Sequence, residues 1–395
     1  MPVERGTELV GMEEDGSSGA WAVLRGPHGS ERTWHPWVVG CDGTDSTVRR
    51  AAGIGWQGGG YRPEIVLADL ELDGDLAPGV AHVVAGRSGL VFVFARGECA
   101  TWRLLATRPC TDPRLPFGHS GSPVPGPELQ RLLDEAGLPA RIRGVGWSSR
   151  VRVQHRLADA YRQGPLLLAG DAAHTHSPAA GQGMNTGIQD AVNLGWKLGF
   201  APTSAHPEGL LCSYELERRP VARHVLALTH GVFWAEASTG PLASFVRAVL
   251  APLAAPGLPL ALRQHRLVAE VVRVLARFGE HYRTGPLSVD NAPPGAGGPR
   301  AGDRLPDATV ITGDGRQTRL HALLAAPGVH LLVRARTPDA AVPAPGPLLH
   351  LHHLEAPSYP AVLAVRPDGH VGYRGPPGAP LRRWLADVGA PRGSR

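Results

Sequence analysis

Between Leu166 and Asn185 an apolar run, a carboxylate, a loop with a pair of glycines and a helical pattern follow one another, an order that could place a bound group at a strand end. Leu166-Leu-Leu-Ala169 is the short apolar run of a buried strand, and Asp171 follows where such a strand would end. Ligands of open α/β sheets bind beyond the carboxyl ends of the strands. Gly181 and Gly183 let the backbone approach a bound group closely. Met184 and Asn185 then open a helix whose first N–H groups point outward. Apolar residues recur at Met184, Ile188, Ala191, Val192, Gly195 and Leu198, and this three–four spacing predicts the buried face of that helix. The plain alternative is a strand–loop–helix connection that binds nothing.

A second stretch has related chemistry. Val38-Val-Gly-Cys-Asp-Gly-Thr-Asp-Ser-Thr-Val-Arg-Arg50 reads as a strand end, a tight Asp42-Gly43 turn, a capping Ser46 and a short helix running to Ala52. Alone, that is an ordinary βα connection.

Taken together, the two stretches resemble the two internal flavin motifs of the FAD-dependent aromatic hydroxylases, the p-hydroxybenzoate hydroxylase-like class A flavoprotein monooxygenases. Within that family the likeness is greatest to enzymes that hydroxylate polycyclic aromatic polyketides. The resemblance implies that Asp171 holds a ribityl hydroxyl of FAD. It also implies that Gly181, Gly183, Met184 and Asn185 lie against the isoalloxazine edge, with Pro178 in the loop before them. Asp42, Gly43 and Arg49 inherit a place near FAD and a contact with the nicotinamide donor, NADPH or NADH. Ala180 departs from the pattern where many relatives carry a further glycine, a change expected to alter flavin fit without abolishing it.

The implied reaction is hydroxylation. NAD(P)H reduces FAD, O2 adds to it, and the terminal oxygen of a flavin C4a-hydroperoxide passes to an electron-rich aromatic carbon. Oxygen insertion of the Baeyer–Villiger kind is open to the same scaffold. No catalytic residue is assigned, because the chain shows no Ser-His-Asp set, Walker loop or paired carboxylates. In such chemistry the cofactor performs the hard step while the protein positions it and excludes water. The family opens with a strand, a Gly-x-Gly-x-x-Gly turn and a helix that receives the pyrophosphate. No such strand–turn–helix opens this chain, so the sequence reads as truncated, and Gly58-Gly-Gly60 reads as a loop. The reading from another class is therefore a non-catalytic relative that keeps the substrate domain without retaining FAD.

The elements that must hold these residues follow a mixed order. The fold class expected is α/β (α+β): an incomplete FAD-binding Rossmann-like domain with an inserted antiparallel-sheet substrate domain, plus a C-terminal thioredoxin-like domain. Strands are predicted at Thr7–Met12, Ala20–Leu24 and Arg32–Val39, completing with residues 157–285 an FAD-binding part at 1–56. Alternating strands at Ile65–Leu70, Leu90–Phe94, Thr101–Ala106 and Val151–His155, with a helix over Pro127–Ala136, make residues 57–156 a substrate sheet. Tyr61, Phe92, Phe94 and Trp102 are either an aromatic pocket or ordinary core. Leu211–Pro220 resembles a structural helix junction of the family, and Val225–Phe278 reads as packed helices. Residues 286–299 form a Pro/Gly-rich linker. In residues 300–395, Val329–Val333 is a strand and Ala361–Arg374 a hairpin about Asp368-Gly369, with Tyr359-Pro360 where a thioredoxin-like fold carries a cis proline. That tail holds no cysteine, so dithiol chemistry is excluded, and a structural role or subunit contacts, as in a homo-oligomer, are expected.

Composition narrows the partners. Hydrophobic residues at 43% and charged residues at 19% suit a globular protein. The formal net charge of +5 comes from scattered arginines, with Lys197 the single lysine, so no nucleic-acid surface is expected. Cys41, Cys99, Cys110 and Cys212 lack zinc or Cys-x-x-Cys spacing and read as free thiols of a reducing compartment. His174, His176, His352 and His353 have no carboxylate at ligand spacing, so no metal is expected. With no signal segment or membrane-length apolar run, a cytoplasmic protein acting on an aromatic small molecule and O2, with no membrane partner, is the expectation.

Overall fold

Long antiparallel pairing organises the largest sheet among the described residues. The computed structural model describes residues 3–14, 19–86, 89–97, 101–177, 181–237, 279–335, 337–338, 341–355 and 362–390, with a few single positions between 245 and 269. The chain separates into two units: residues 1–159, 163–185 and 222–270, and residues 160–162, 186–221 and 271–395.

The first unit opens with an antiparallel meander of β1 (Glu8–Glu14), β2 (Ala20–Gly26) and β3 (Gly29–His35). β4 (Val38–Gly40) leads into α1 (Thr47–Ala51), whose N-cap Ser46 accepts the Arg49 N–H at 2.9 Å, as the sequence predicts. Then come β5 (Trp56–Gly74), β6 (His82–Gly86), β7 (Gly89–Ala95), β8 (Trp102–Pro109), α2 (Gly126–Glu135) and β9 (Ala140–Ala158). After β10 (Arg162–Gln163), β11 (Leu166–Leu168) pairs with β4, and β12 (His174–Thr175) joins β9. The main sheet, in the order β12-β9-β5-β8-β7-β6, is antiparallel throughout.

Its two faces differ. Val66, Ala68, Leu70, Val93, Trp102, Leu104 and Ala106 pack on Leu129 and Leu133 of α2 in a closed core. At roughly 1.5–3 kcal/mol for each fully buried large side chain, this face holds the sheet together. The opposite face carries Ile65, Leu67, Leu105, Val153 and Tyr61, against which Phe233 packs. Gly58, Gly59 and Gly60, expected in a loop, lie inside β5 opposite Arg156, His155 and Gln154. The reason is steric: Gly58 has φ +116°, and a Cβ there would lie 2.1 Å from the His155 carbonyl oxygen. Only a glycine lets the two strands close at that point. The spacing Gly53-Ile-Gly-Trp-Gln-Gly58 likewise runs from the end of α1 into a strand, so it opens no helix.

Two long helices, α3 (Gly183–Phe200) and α4 (Pro207–Ala237), follow. α3 departs from the sequence expectation. Met184, Ile188 and Val192 are 75%, 51% and 44% exposed, and Ala191 and Gly195 are exposed too. The buried side is instead Thr186, Asp190, Asn193, Leu194, Trp196, Lys197 and Phe200, because ion pairs hold that side down. The second unit also contains β13 (Val289–Asp290), β14 (Thr309–Ile311), β15 (Gln317–Arg319), α5 (Leu320–Leu323), β16 (Val329–Arg334), β17 (Leu349–Leu354), β18 (Val362–Val365), β19 (Val371–Gly375) and α6 (Ala379–Val388). Five of these strands form one sheet, β13-β19-β18-β16-β17, with β16–β17 parallel and β18–β19 an antiparallel hairpin about Gly369, φ +77°. The expected linker starts within this sheet, since Val289 and Asp290 pair with Tyr373 and Arg374. Tyr359 and Pro360, and most of residues 238–278, lie outside the described residues.

Within the second unit, Glu217 is the hub of a fully buried charge network. It accepts from Lys197 Nζ at 2.8 Å, from Asn193 at 2.8 Å and from both terminal nitrogens of Arg366 at 2.6 and 2.8 Å. Asp368 also pairs with Arg366 and accepts the Trp196 indole N–H at 3.1 Å. Burial alone would raise the Glu217 carboxyl, but Arg366 and Lys197 overcome it and hold it at about 2. A depressed carboxylate pKa contributes stability that is present above the ordinary value and lost on acidification. Stability of this unit is therefore expected to fall as pH drops from about 4.5 towards about 2. Glu217→Gln is expected to cost about 3–5 kcal/mol at neutral pH by leaving buried cations uncompensated, and to flatten that acid dependence in urea unfolding.

Candidate functional site

The two sequence motifs become neighbours through one parallel strand pair. Leu166, Leu167 and Leu168 of β11 pair with Val38, Val39 and Gly40 of β4, and the Ala169 N–H donates to the Gly40 carbonyl at 3.0 Å. Both strands run the same way, so Asp42 and Asp171 follow ends at one edge of the pair. Gly40 has no room for a side chain, since a Cβ would come 2.7 Å from Val48 and 3.2 Å from Leu168. That closeness seats α1 against the strands.

Arg49 ties the motifs together. Its guanidinium donates to the Ala172 carbonyl at 3.0 Å and to the Thr44 carbonyl at 2.8 Å, and it stacks 3.7 Å over the Trp56 ring. It is only 8% exposed. Burial, then the neighbouring Arg50, lowers its proton affinity, yet a guanidinium stays charged at neutral pH. Asp42 caps α1, accepting from the Thr47 N–H at 2.6 Å and the Val48 N–H at 3.2 Å. Gly43 takes φ +76° in the turn between them.

Asp171 lies in a 3₁₀ turn, Gly170–Ala172, begun by Gly170 at φ +61°. Its side chain is exposed while Ala172 and Ala173 beside it are buried, so the carboxylate faces outward from a fixed backbone. Gly181 has φ +61° with nothing within 4 Å of where a Cβ would stand. Gly183 begins α3 with the His176 ring 3.5 Å from its would-be Cβ, and Met184 and Asn185 are exposed in the first turn. Pro178 lies outside the described residues. An outward carboxylate, an uncrowded glycine and a helix N-terminus without an acidic first turn fit a hydroxyl-rich chain attached to a flat heterocycle, as in the ribityl–isoalloxazine part of FAD.

The aromatic residues divide between the faces of the main sheet. Trp102 belongs to the closed core. Phe92 pairs with Leu105, which puts it on the same face as Tyr61, and it stands 5.2 Å from Phe94. Sequence reasoning missed Trp56, which has no motif to flag it, and Ala172, which acts through its carbonyl alone. It also missed His155 and His230, which the fold brings to Tyr61. His174 and His176 stack at 6.4 Å, and among the described residues no group of three or more His, Cys, Asp or Glu is arranged to hold a metal. No helix among the described residues is long and apolar enough to cross a membrane.

Residues 1–229 match the FAD binding domain family, and the chain belongs to it. It is 34% identical over 309 residues to a 6-methylpretetramide 4-monooxygenase of Streptomyces rimosus, a match that covers 75% of this chain and 51% of that protein. Over 396 residues it is 32% identical to YhjG of Bacillus subtilis, an uncharacterized aromatic compound monooxygenase, covering 98% of this chain and 72% of that one. Among solved structures, OxyS anhydrotetracycline hydroxylase from Streptomyces rimosus matches with a TM-score of 0.75 at 28% identity, covering 99% of this chain and 76% of that chain. The chain thus spans about half the length of the first of these relatives.

Because both ends of the guanidinium and its flat face are engaged, Arg49→Lys is expected not to substitute for it. A loss of roughly 1.5–3 kcal/mol in thermal or denaturant unfolding is expected for that variant, most of it from the unpaired Ala172 and Thr44 carbonyls.

Proposed function

We propose that the chain is an FAD-dependent monooxygenase that hydroxylates a flat polycyclic aromatic substrate of polyketide type, with NADPH or NADH as electron donor and O2 as co-substrate. One observation carries this reading: Arg49 binds the Asp42 motif to the Asp171 motif at the edge of a parallel strand pair. The strand that follows Asp171, β12, then joins the sheet with the aromatic face. In this reading Asp171 accepts a ribityl hydroxyl, and the N–H groups at the start of α3 face the isoalloxazine edge. Gly181, Gly183, Met184 and Asn185 form that turn, with Pro178 before it. Asp42 and Gly43 stand near the flavin, and Arg49 acts as a positioning residue through Ala172.

FAD, when bound, supplies the redox chemistry, taking a hydride from the nicotinamide and activating O2. The chain's own part is to hold and to exclude water. Ile65 and Phe233 form a dry cluster on the sheet, and the partly buried Leu67, Leu105 and Val153 packed against it give an apolar border for a planar ring system with few polar contacts. The names of the relatives, a 6-methylpretetramide monooxygenase and an anhydrotetracycline hydroxylase, agree with a polycyclic substrate. The layout that goes with this function is an FAD-binding Rossmann-like part at residues 1–56 and 157–285 and a substrate sheet at 57–156. A linker at 286–299 and a thioredoxin-like part at 300–395 complete it. The parallel β16–β17 pair beside the antiparallel β16–β18 and β18–β19 pairs supports the last assignment.

Titration of FAD with the purified 395-residue chain is expected to quench flavin fluorescence with one-to-one stoichiometry. Asp171→Ala should weaken that binding at least about tenfold, since a hydrogen bond to a charged group contributes roughly 1.5–3 kcal/mol. Its far-UV circular dichroism should not change, because the side chain is exposed. A chain that takes up no flavin, or an Asp171→Ala variant with undiminished affinity, would overturn the assignment.

A further inference from the structure

On the aromatic face of the main sheet, His155 stands apart. Its ring centroid lies 4.8 Å from Tyr61 and 4.7 Å from His230, and Phe233 is 4.3 Å from Tyr61 on the far side. These are ordinary contact distances for aromatic rings. The His155 Nδ1 atom is buried and has no hydrogen-bond partner. Buried polar atoms are nearly always paired, so one left unpaired in an aromatic enclosure calls for a physical explanation.

The surroundings supply one. His155 lies one residue along β9 from Arg156, which pairs with Thr175 of β12, so it borders the segment leading out of the Asp171 turn. Ser177 of that segment donates to the Thr229 carbonyl at 3.2 Å, next to His230. The Tyr61 hydroxyl meets His230 Nδ1 at 3.3 Å, a long contact for an O–H donor and easily broken. His230 itself is exposed on α4. The enclosure is thus shut on one side by a surface side chain held through a weak bond.

We propose that His155 recognises a hydroxyl group on the edge of the planar aromatic substrate, and that the Tyr61–His230 pair closes over it until that hydroxyl enters. The proposal rests on the aromatic monooxygenase reading given above and deepens it to a phenol-bearing substrate. Burial first, then His230 and Arg156, hold the His155 imidazole below its ordinary pKa, so it is neutral at physiological pH. A neutral imidazole presents at Nδ1 either a lone pair or an N–H. A phenolic hydroxyl both donates and accepts, and satisfies either form. Tyr61 and Phe233 then offer ring faces against which a flat ring system packs. No proton need leave the hydroxyl for this recognition, so His155 is a specificity-determining residue.

The test compares two probes, 2,6-dihydroxyanthraquinone and unsubstituted anthraquinone, binding to the full chain with and without FAD, read by quenching of its tryptophan fluorescence. A site built around a hydrogen bond rejects the analogue lacking the hydroxyl. The wild-type chain is therefore expected to favour the dihydroxy probe at least about tenfold. His155→Phe should bring the two affinities to within about twofold while leaving anthraquinone and FAD binding unchanged, and His155→Gln, which keeps a polar tip, should restore part of the preference. His230→Ala should speed association of the dihydroxy probe. A preference that survives in His155→Phe, with FAD still bound, would overturn this proposal alone, as would failure of both probes to bind. A chain that binds the probes but no FAD would instead sink the flavoprotein reading and leave a phenol-binding site.

Discussion

The site hangs on one guanidinium. Arg49 is the side chain that converts two separate strand–turn segments into one edge, by donating across to the Ala172 carbonyl and back to Thr44 while lying on Trp56. Backbone carbonyls inside a folded chain must be paired, and a turn that cannot pair with its own segment borrows a donor from elsewhere. Only an arginine offers two forked donors and a flat stacking face at once. The consequence is that the backbone at Ala172 is fixed while the Asp171 carboxylate next to it remains outward. Rigidity in the chain and availability at the carboxylate come from the same contact.

In the Asp42–Arg49 segment the polar side chains are accordingly spent on the chain's own backbone. Asp42 caps α1, Ser46 caps it a second time, and Arg49 pairs with carbonyls. What the Asp171 motif leaves open is small: its exposed carboxylate, one uncrowded glycine and a helix start. Such economy suits a site where a cofactor brings the reactivity, since additional acids and bases near it would carry water and protons in. The aromatic face of the sheet separates its polar groups in the same way: Tyr61, His155 and His230 cluster together, and Asp69, next but one to Leu67 on β5, is paired with Arg103 and Arg96.

Local signals in the sequence were legible where short-range physics decides them. The Ser46 cap, the Asp368-Gly369 hairpin and the apolar strand before Asp171 each depend on a few consecutive residues, and each forms as read. Pairing partners were not legible, because they are set by residues far away in sequence. Gly58–Gly60 looks like a loop until β9 comes alongside and needs the space. Likewise Trp56, His155 and His230 belong to no motif, and only the fold gives them neighbours. The division of the aromatic residues follows from strand parity. Trp102 is an even neighbour of Leu104 on the α2 side, whereas Phe92 stands opposite Leu105.

α3 shows why periodicity finds a helix more surely than it finds the helix's buried side. Its apolar stripe at Met184, Ile188 and Val192 is exposed, and its buried stripe includes Asp190, Asn193 and Lys197. Hydrophobic burial alone would favour the reverse arrangement, by roughly 1.5–3 kcal/mol per large side chain. The reverse is overruled by charges that cannot be separated cheaply once desolvated. Asp190 holds Arg218 at 2.8 Å, and Lys197 holds Glu217 at 2.8 Å, with Arg366 on the other side of that carboxylate. Removing any one partner strands the others in a low-dielectric interior, at about 3–5 kcal/mol. Turning the helix to bury its apolar stripe would break both pairs together. Directional pairs therefore set the rotation of α3 about its own axis, and the apolar stripe takes whatever direction is left.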